Sequence, residues 1–185
     1  MPSHDQLAAL LARLSYREGD FTLTSGATSN FYLDAKQVTY HPDGVALVGA
    51  AMHAIAREFG AAAIGGPTMG ADAIVLCAVY ASGGSDRPLT GFVVRKEPKK
   101  HGLGKWIEGI NPAGQKVAIV DDVITSGGSL LKAAAHVQEA GAEIVVAIGL
   151  VDREQGGREA IEAAGFAFRA VCTLSDVRAQ FRGAR

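Results

Sequence analysis

Two adjacent carboxylates, Asp121 and Asp122, end the apolar run Val117-Ala118-Ile119-Val120, and a small hydroxyl-rich turn follows at once. It reads Val123-Ile124-Thr125-Ser126-Gly127-Gly128-Ser129, and a helical pattern starts directly after it. A strand feeding such a turn and opening a helix is suited to holding a phosphate. Glycine removes the Cβ obstacle, main-chain N–H groups point inward, and the helix N-terminus supplies partial positive charge. The paired acids add acceptors for sugar hydroxyls, so the segment reads as a site for a phosphorylated sugar. A Gly-Gly pair with flanking hydroxyls is also an ordinary strand-to-helix turn, and Asp at a strand end also caps helices. Acids, hydroxyls and glycines in this order favour the phosphosugar.

That string resembles the phosphoribosyl pyrophosphate motif of type I phosphoribosyltransferases. A second chemical cluster lies upstream of it. Residues 95–105 hold Arg95, Lys96, Lys99, Lys100 and Lys105, five of the eighteen Lys and Arg, together with His101. Pro98, Gly102 and Gly104 argue against regular structure here. A charge run is often only a solvated face. Leaving the ligand edge of a sheet, this one is expected to close over a bound pyrophosphate, compensating its charge and excluding water from a reactive sugar cation. Farther on, Arg153 offers a planar fork matched to a carboxylate, with surface pairing to Asp152 or Glu154 as the plainer alternative.

Positioning these groups requires a particular frame. Leucines 7, 10, 11 and 14 predict a helix over 4–17, and the alternation in 21–36 predicts two short strands around the Ser25-Gly26 turn. Val45 to Phe59 spells a second helix. Strands are expected at Ala62–Gly65, Thr90–Val94, 116–120, 144–151 and 166–172. Between them lie helices at about 69–80, 127–140 and 157–164. Strands alternating with helices, each strand nearly continuous in apolar residues, define an α/β fold with an open, mostly parallel twisted sheet covered on both faces. Ligands of such sheets bind beyond the carboxyl ends of the strands. Gly65-Gly66-Pro67, Arg95-Lys96, Asp121-Asp122 and Asp152-Arg153 all fall at such ends, so they converge on one edge.

The bulk properties exclude several classes. A chain of 185 residues, 48% apolar and 20% charged, reads as one domain with a substantial core. Net charge of −1 gives no footprint for nucleic acid or an anionic membrane. No apolar run has the length of a membrane span, and the N-terminus lacks a secretory signature. Cys77 and Cys172 stand alone, as buried small hydrophobes of a reducing cytoplasm. The five histidines form no zinc-like spacing.

Three stretches carry a closer likeness. Phe21-Thr-Leu-Thr-Ser-Gly-Ala-Thr-Ser-Asn-Phe-Tyr-Leu-Asp-Ala-Lys36, Arg95-Lys96-Glu97-Pro98-Lys99-Lys100-His101-Gly102, and Val120–Ser129 with Asp152-Arg153 resemble the orotate phosphoribosyltransferase family over nearly the whole chain. The resemblance implies the type I phosphoribosyltransferase fold, with a small hood of about residues 1–36 plus C-terminal residues over a core of about 42–175. It implies magnesium-dependent transfer of ribose 5-phosphate from phosphoribosyl pyrophosphate to N1 of orotate, giving orotidine 5′-monophosphate and pyrophosphate in pyrimidine biosynthesis. It implies too a cytoplasmic homodimer whose loop 95–105 is shared across the interface.

Chemistry then distributes roles among the matched residues. Val123, Ile124, Thr125, Ser126, Gly127, Gly128 and Ser129 would cradle the 5′-phosphate. Asp121 and Asp122 would bind the ribose hydroxyls, directly or through Mg2+, and stabilise the ribosyl cation. Arg95, Lys96, Lys99 and His101 would neutralise the leaving pyrophosphate, Lys99 with the strongest effect on rate. Magnesium would be held mainly by substrate and water near Asp121 and Asp122 rather than in a protein cage. Ser25, Thr125 and Arg153 would hold orotate, with Phe31 and Tyr32 either lining the base or packing the hood. Asp122 and Lys99 are both expected to face solvent. Thr24 and Thr68-Met69-Gly70 depart from the family, which often carries lysine there. Both changes remove cations, and Lys36 or Lys105 is expected to compensate in part.

Three rival readings meet contrary features. A transferase for another base would not need the Arg153 fork. A non-catalytic regulator would need a nucleic-acid domain or a basic face. A dinucleotide-dependent oxidoreductase would need GxGxxG after the first strand.

Overall fold

The computed structural model describes residues 4–22, 28–98 and 105–183. Five parallel strands, β3 (Ala63–Pro67), β4 (Thr90–Val94), β6 (Lys116–Ile124), β7 (Glu143–Asp152) and β8 (Phe168–Thr173), build the main sheet. A short β5 (Ile107–Gly109) closes one edge antiparallel to β4. The order is β5-β4-β3-β6-β7-β8, so the chain leaves in opposite directions from the β3/β6 junction. Ligands of open α/β sheets settle at such a reversal.

Helices α3 (Pro42–Glu58), α4 (Gly70–Ser82), α5 (Gly128–Glu139) and α6 (Gly157–Ala163) cover the sheet, and a short α2 (Lys36–Thr39) precedes α3. The start of α3 is explicit in sequence: Pro42 occupies its first turn and His41 Nδ1 accepts from the Asp43 N–H at 3.2 Å. Val117, Ile119 and Phe92 lie in one apolar layer with Leu130 and Val137 of α5. Val120, Ile148 and Leu150 lie in the other with Val48 and Met52 of α3.

A small antiparallel sheet, β1 (Tyr16–Thr22) with β2 (Thr28–Leu33), lies against α1 (His4–Leu14) and α7 (Leu174–Gly183), which also pack on each other. The expected helix over 4–17 ends at Leu14 because Tyr16 pairs with Leu33. The expected strand 116–120 runs on to Ile124, held by the Val123–Val151 and Ile124–Asp152 pairs with β7. Both acids therefore sit within a strand. β3 pairs with β6 only as far as Gly65–Ile119, so beyond that point β6 has an open flank where both carboxylates can emerge.

α7 and β5 extend the sequence reading. Leu174 and Val177 bury against the core, and Phe181 packs edge-on to Tyr16 with ring centroids 5.0 Å apart. His4 of α1 reaches Asp176 of α7 at 3.1 Å, joining the two ends of the chain.

Candidate active site

A cleft of about 740 Å³ opens at the junction of β3 and β6. Its floor is Asp121, Asp122 and Val123, and Pro67, Thr68, Met69 and Gly70 form one wall. Arg95 and Lys96 at the end of β4 form another. Three of the four strand ends expected to converge thus meet in one cavity.

Neither carboxylate faces solvent freely, contrary to the expectation for Asp122: Asp121 is 8% and Asp122 9% exposed. The Asp122 N–H donates to Asp121 Oδ1 at 2.9 Å, and the Val123 N–H donates to Asp122 Oδ1 at 2.8 Å. Lys36 Nζ approaches Asp122 Oδ2 at 2.8 Å and Asp34 Oδ1 at 3.6 Å. Asp34 also accepts from the Lys36 N–H and from Gln37 Nε2, each at 3.2 Å, closing the turn after the hood strand. Burial, then the Asp122 charge, pushes the Asp121 carboxyl up to about 7. Burial pulls Lys36 down, but its hydrogen bond and charge contact with Asp122 outweigh it, and the ammonium is raised above its ordinary value. The N-terminus of α4 comes so close that a Cβ on Gly70 would lie 2.6 Å from both Asp121 Oδ1 and Asp122 Oδ1.

The phosphate-type turn flanks this floor. Gly127 caps α5 in the left-handed region, φ 76°, where other residues are strained. The first N–H groups of α5 have no carbonyl of their own helix to meet. Ser129 lines the cleft, while the Ile124 side chain is buried against Gly149 and Gly157 and its carbonyl accepts from the Arg153 N–H at 2.9 Å. Thr125 and Ser126 are at the surface between β6 and α5.

Arg95 is held by its own frame: its N–H donates to the Trp106 carbonyl at 2.9 Å and its guanidinium meets Glu108 at 3.4 Å. Lys105 borders a neighbouring hollow rather than this cleft. Ser25, Lys99 and His101 lie outside the described residues, as does Thr24.

Arg153 takes neither surface pairing weighed above. Asp152 is engaged by Arg158 at 3.3 Å and by the Glu154 N–H at 2.8 Å, and Glu154 accepts from Ser175 at 2.7 Å. The Arg153 guanidinium instead lies 4.8 Å from the centroid of Phe31, and its Nε is buried without an acceptor among the described residues. Phe31 is buried in the hood, whereas Tyr32 points outward and packs on Phe21.

Reading the sequence alone passed over Lys132, His136 and Trp106, which complete the wall. Ser129, Lys132, Ala133 and His136 recur at helical spacing on one face of α5, a signal the sequence does carry. Trp106 stacks on His136 with centroids 3.8 Å apart.

A reversal of strand order with paired acids and a hydroxyl-glycine turn defines a phosphoribosyltransferase of the type I fold. The phosphoribosyl transferase domain profile matches residues 72–171. The orotate phosphoribosyltransferase of Rhodopirellula baltica is 46% identical over 176 residues, covering 92% of this chain and 91% of that one. The Aquifex aeolicus orotate phosphoribosyltransferase is 41% identical, covering 96% of this chain and 98% of its own length. The crystal structure of the Mycobacterium tuberculosis orotate phosphoribosyltransferase in complex with phosphoribosyl pyrophosphate superposes with a TM-score of 0.82 at 37% identity, covering 96% and 99% of the two chains. The chain belongs to the orotate phosphoribosyltransferase family. The likeness read from residues 21–36, 95–102 and 120–129 is borne out, and with it the transferase class.

Proposed function

We propose that Asp121, Asp122, the Thr125–Ser129 turn, Arg95, Lys96 and Arg153 carry out the reaction of this family, transfer of ribose 5-phosphate from phosphoribosyl pyrophosphate to N1 of orotate. The carrying observation is the cleft itself, where two nearly buried carboxylates, the first turn of α5 and the cations of β4 meet at the sheet's reversal.

The turn receives the 5′-phosphate on main-chain N–H groups, assisted by the α5 dipole. Asp121 and Asp122 accept the ribose hydroxyls, and their charge offsets the positive charge that grows on the ring as pyrophosphate departs. Arg95 and Lys96 face that leaving group from β4. Lys99 and His101 join them on the strength of the family resemblance. Arg153, whose Nε has no acceptor among the described residues, presents its fork to the orotate carboxylate beside Phe31, with Ser25 and Thr125 completing the base site.

The hard oxygens of Asp121 and Asp122 suit Mg2+, which when bound offsets the charge of the pyrophosphate. The described residues contain no group of three or more potential ligands, so substrate oxygens and water would fill its other positions.

The enzyme works as one domain, the hood of α1, β1, β2 and α7 sharing a single apolar cluster with the core. It acts in the cytoplasm, its two cysteines free and buried. A homodimer fits one further observation. Met69, Leu76 and Tyr80 recur along one face of the α4 segment with exposures of 68%, 69% and 84%, and Tyr40 nearby is 68% exposed. Large apolar side chains grouped in this way mark a protein contact. The face starts at the cleft wall, so a second copy seated there would lie beside the site.

The test is orotate consumption by the purified protein with phosphoribosyl pyrophosphate, with and without magnesium, beside adenine, hypoxanthine and uracil. Metal-dependent turnover of orotate alone supports the reaction, the metal requirement and the base specificity, whereas turnover of another base overturns the role of Arg153.

A further inference from the structure

Two guanidinium groups share one buried aromatic ring in the hood. Arg153, following β7, lies 4.8 Å from the centroid of Phe31, and Arg178, from α7, lies 4.6 Å from it. Phe31 itself is only 5% exposed. Each contact is favourable as a cation–π pair, but together they bring two like charges into a poorly solvated place. Burial first, then the Arg178 charge, lowers the Arg153 pKa. Among the described residues no carboxylate forms an ion pair with Arg153, and its Nε has no acceptor.

Arg178 is anchored. Its Nε donates to Tyr16 Oη at 3.1 Å, and the Tyr16 ring is fixed in turn by Phe31 at 5.9 Å and Phe181 at 5.0 Å. A guanidinium so constrained supplies a fixed charge and holds the ring on which Arg153 rests. Glu18, which accepts from Tyr16 Oη at 3.4 Å, borders the same hollow as Arg178, so Arg153 is the guanidinium that an incoming anion would balance.

We infer that Arg178 is a positioning residue of the base subsite: it fixes Phe31, and through it the Arg153 fork, and adds positive potential that favours a pyrimidine bearing a carboxylate. The inference rests on the proposed role of Arg153 as partner of the orotate carboxylate. It gives α7 a part in specificity, and it places a second cation beside the base subsite of a chain that carries Thr24 where the family often has lysine.

The test is steady-state kinetics on the full-length protein. Arg178→Gln retains a donor for Tyr16 and loses the charge. It is expected to raise KM for orotate about tenfold while KM for phosphoribosyl pyrophosphate stays within about twofold, the pattern of a lost contribution to binding one substrate. Arg178→Lys should recover part of the loss, and Arg182→Gln, one turn farther along α7, should leave both constants unchanged. An unaltered orotate KM in Arg178→Gln, or equal rises in both constants, overturns the inference. Arg153→Gln separates the two ideas. If it raises the orotate KM and Arg178→Gln does not, only the role of Arg178 fails. If neither does, the proposed base site fails with it.

Discussion

Lys36 Nζ and Asp122 Oδ2 lie 2.8 Å apart across the floor of the cleft, although 86 positions separate them in the chain. The lysine follows the hood sheet and the aspartate sits within the central strand β6, so this one ion pair ties the hood to the catalytic edge. It also gives a buried pair of carboxylates its nearest positive charge.

Lys36→Ala should therefore raise KM for phosphoribosyl pyrophosphate, by about tenfold for a lost charge-assisted contact. Lys105→Ala should change it far less, since Lys105 borders the adjacent hollow instead. Parallel measurement of both Michaelis constants decides which lysine compensates for the cations absent at Thr24 and Thr68–Gly70. Unchanged constants in both variants would remove the compensation idea.

Asp121 makes stability depend on pH. Its folded carboxyl titrates near 7, well above its ordinary value of 3.8, so between those limits the native state binds the proton that the unfolded state has released. Folding stability from this group is therefore greatest at low pH and declines as pH rises toward about 7. In metal-free buffer Asp121→Asn should melt a few degrees above the parent at pH 8, with the gap closing toward pH 5. Thermal melts across that range check it, and a gap that widens on acidification would reverse the sign.

The frame was largely legible in the sequence because long apolar runs and helix spacing reflect burial directly. The strands at 63–67, 90–94, 143–152 and 168–173 fall where the residues placed them to within two positions. Less was legible where pairing across the chain decides the outcome. Val123 and Ile124 are strand because β7 continues beside them. Ile107–Gly109 is too short to announce itself and exists because β4 offers an edge. α7 could have been found from Leu174, Val177 and Phe181. At the site, the acids and the turn were plain as a contiguous string, whereas the Lys36–Asp122 and Arg153–Phe31 contacts join segments far apart in sequence.

Gly70 has no room to change. Gly70→Ala would drive a methyl into both carboxylates, which must move. We expect kcat/KM to fall by about a hundredfold while the far-ultraviolet circular dichroism is retained, since misplacement of catalytic groups by about 1 Å has that order of cost. Near-normal turnover would mean that the present carboxylate geometry is not the one used.

The exposed face of α4 predicts the assembly. Leu76→Glu with Tyr80→Glu should yield monomers by sedimentation and lose most activity. If the 95–105 loop serves the neighbouring site, equal mixing of Lys99→Ala and Asp122→Asn subunits restores about a quarter of the sites, half the dimers having one intact site of two. No recovery after proven subunit exchange would make each site self-contained.

The antiparallel pair of β4 and β5 sets a limit on that sharing. Val94 is opposite Ile107 and the Arg95 N–H is bonded to the Trp106 carbonyl, so the segment between leaves and returns through one gate. Ten residues, 96 to 105, make the round trip. Even drawn taut, no Cα among them could stand more than about 20 Å from the gate. Contour length alone thus acts as a ruler. Any site served by Lys99 or His101, in the same subunit or another, must fall inside that radius lengthened by the reach of the side chain, about 6 Å for lysine, and docking arrangements that place a neighbouring cleft beyond it are ruled out by chain length before any energy is considered.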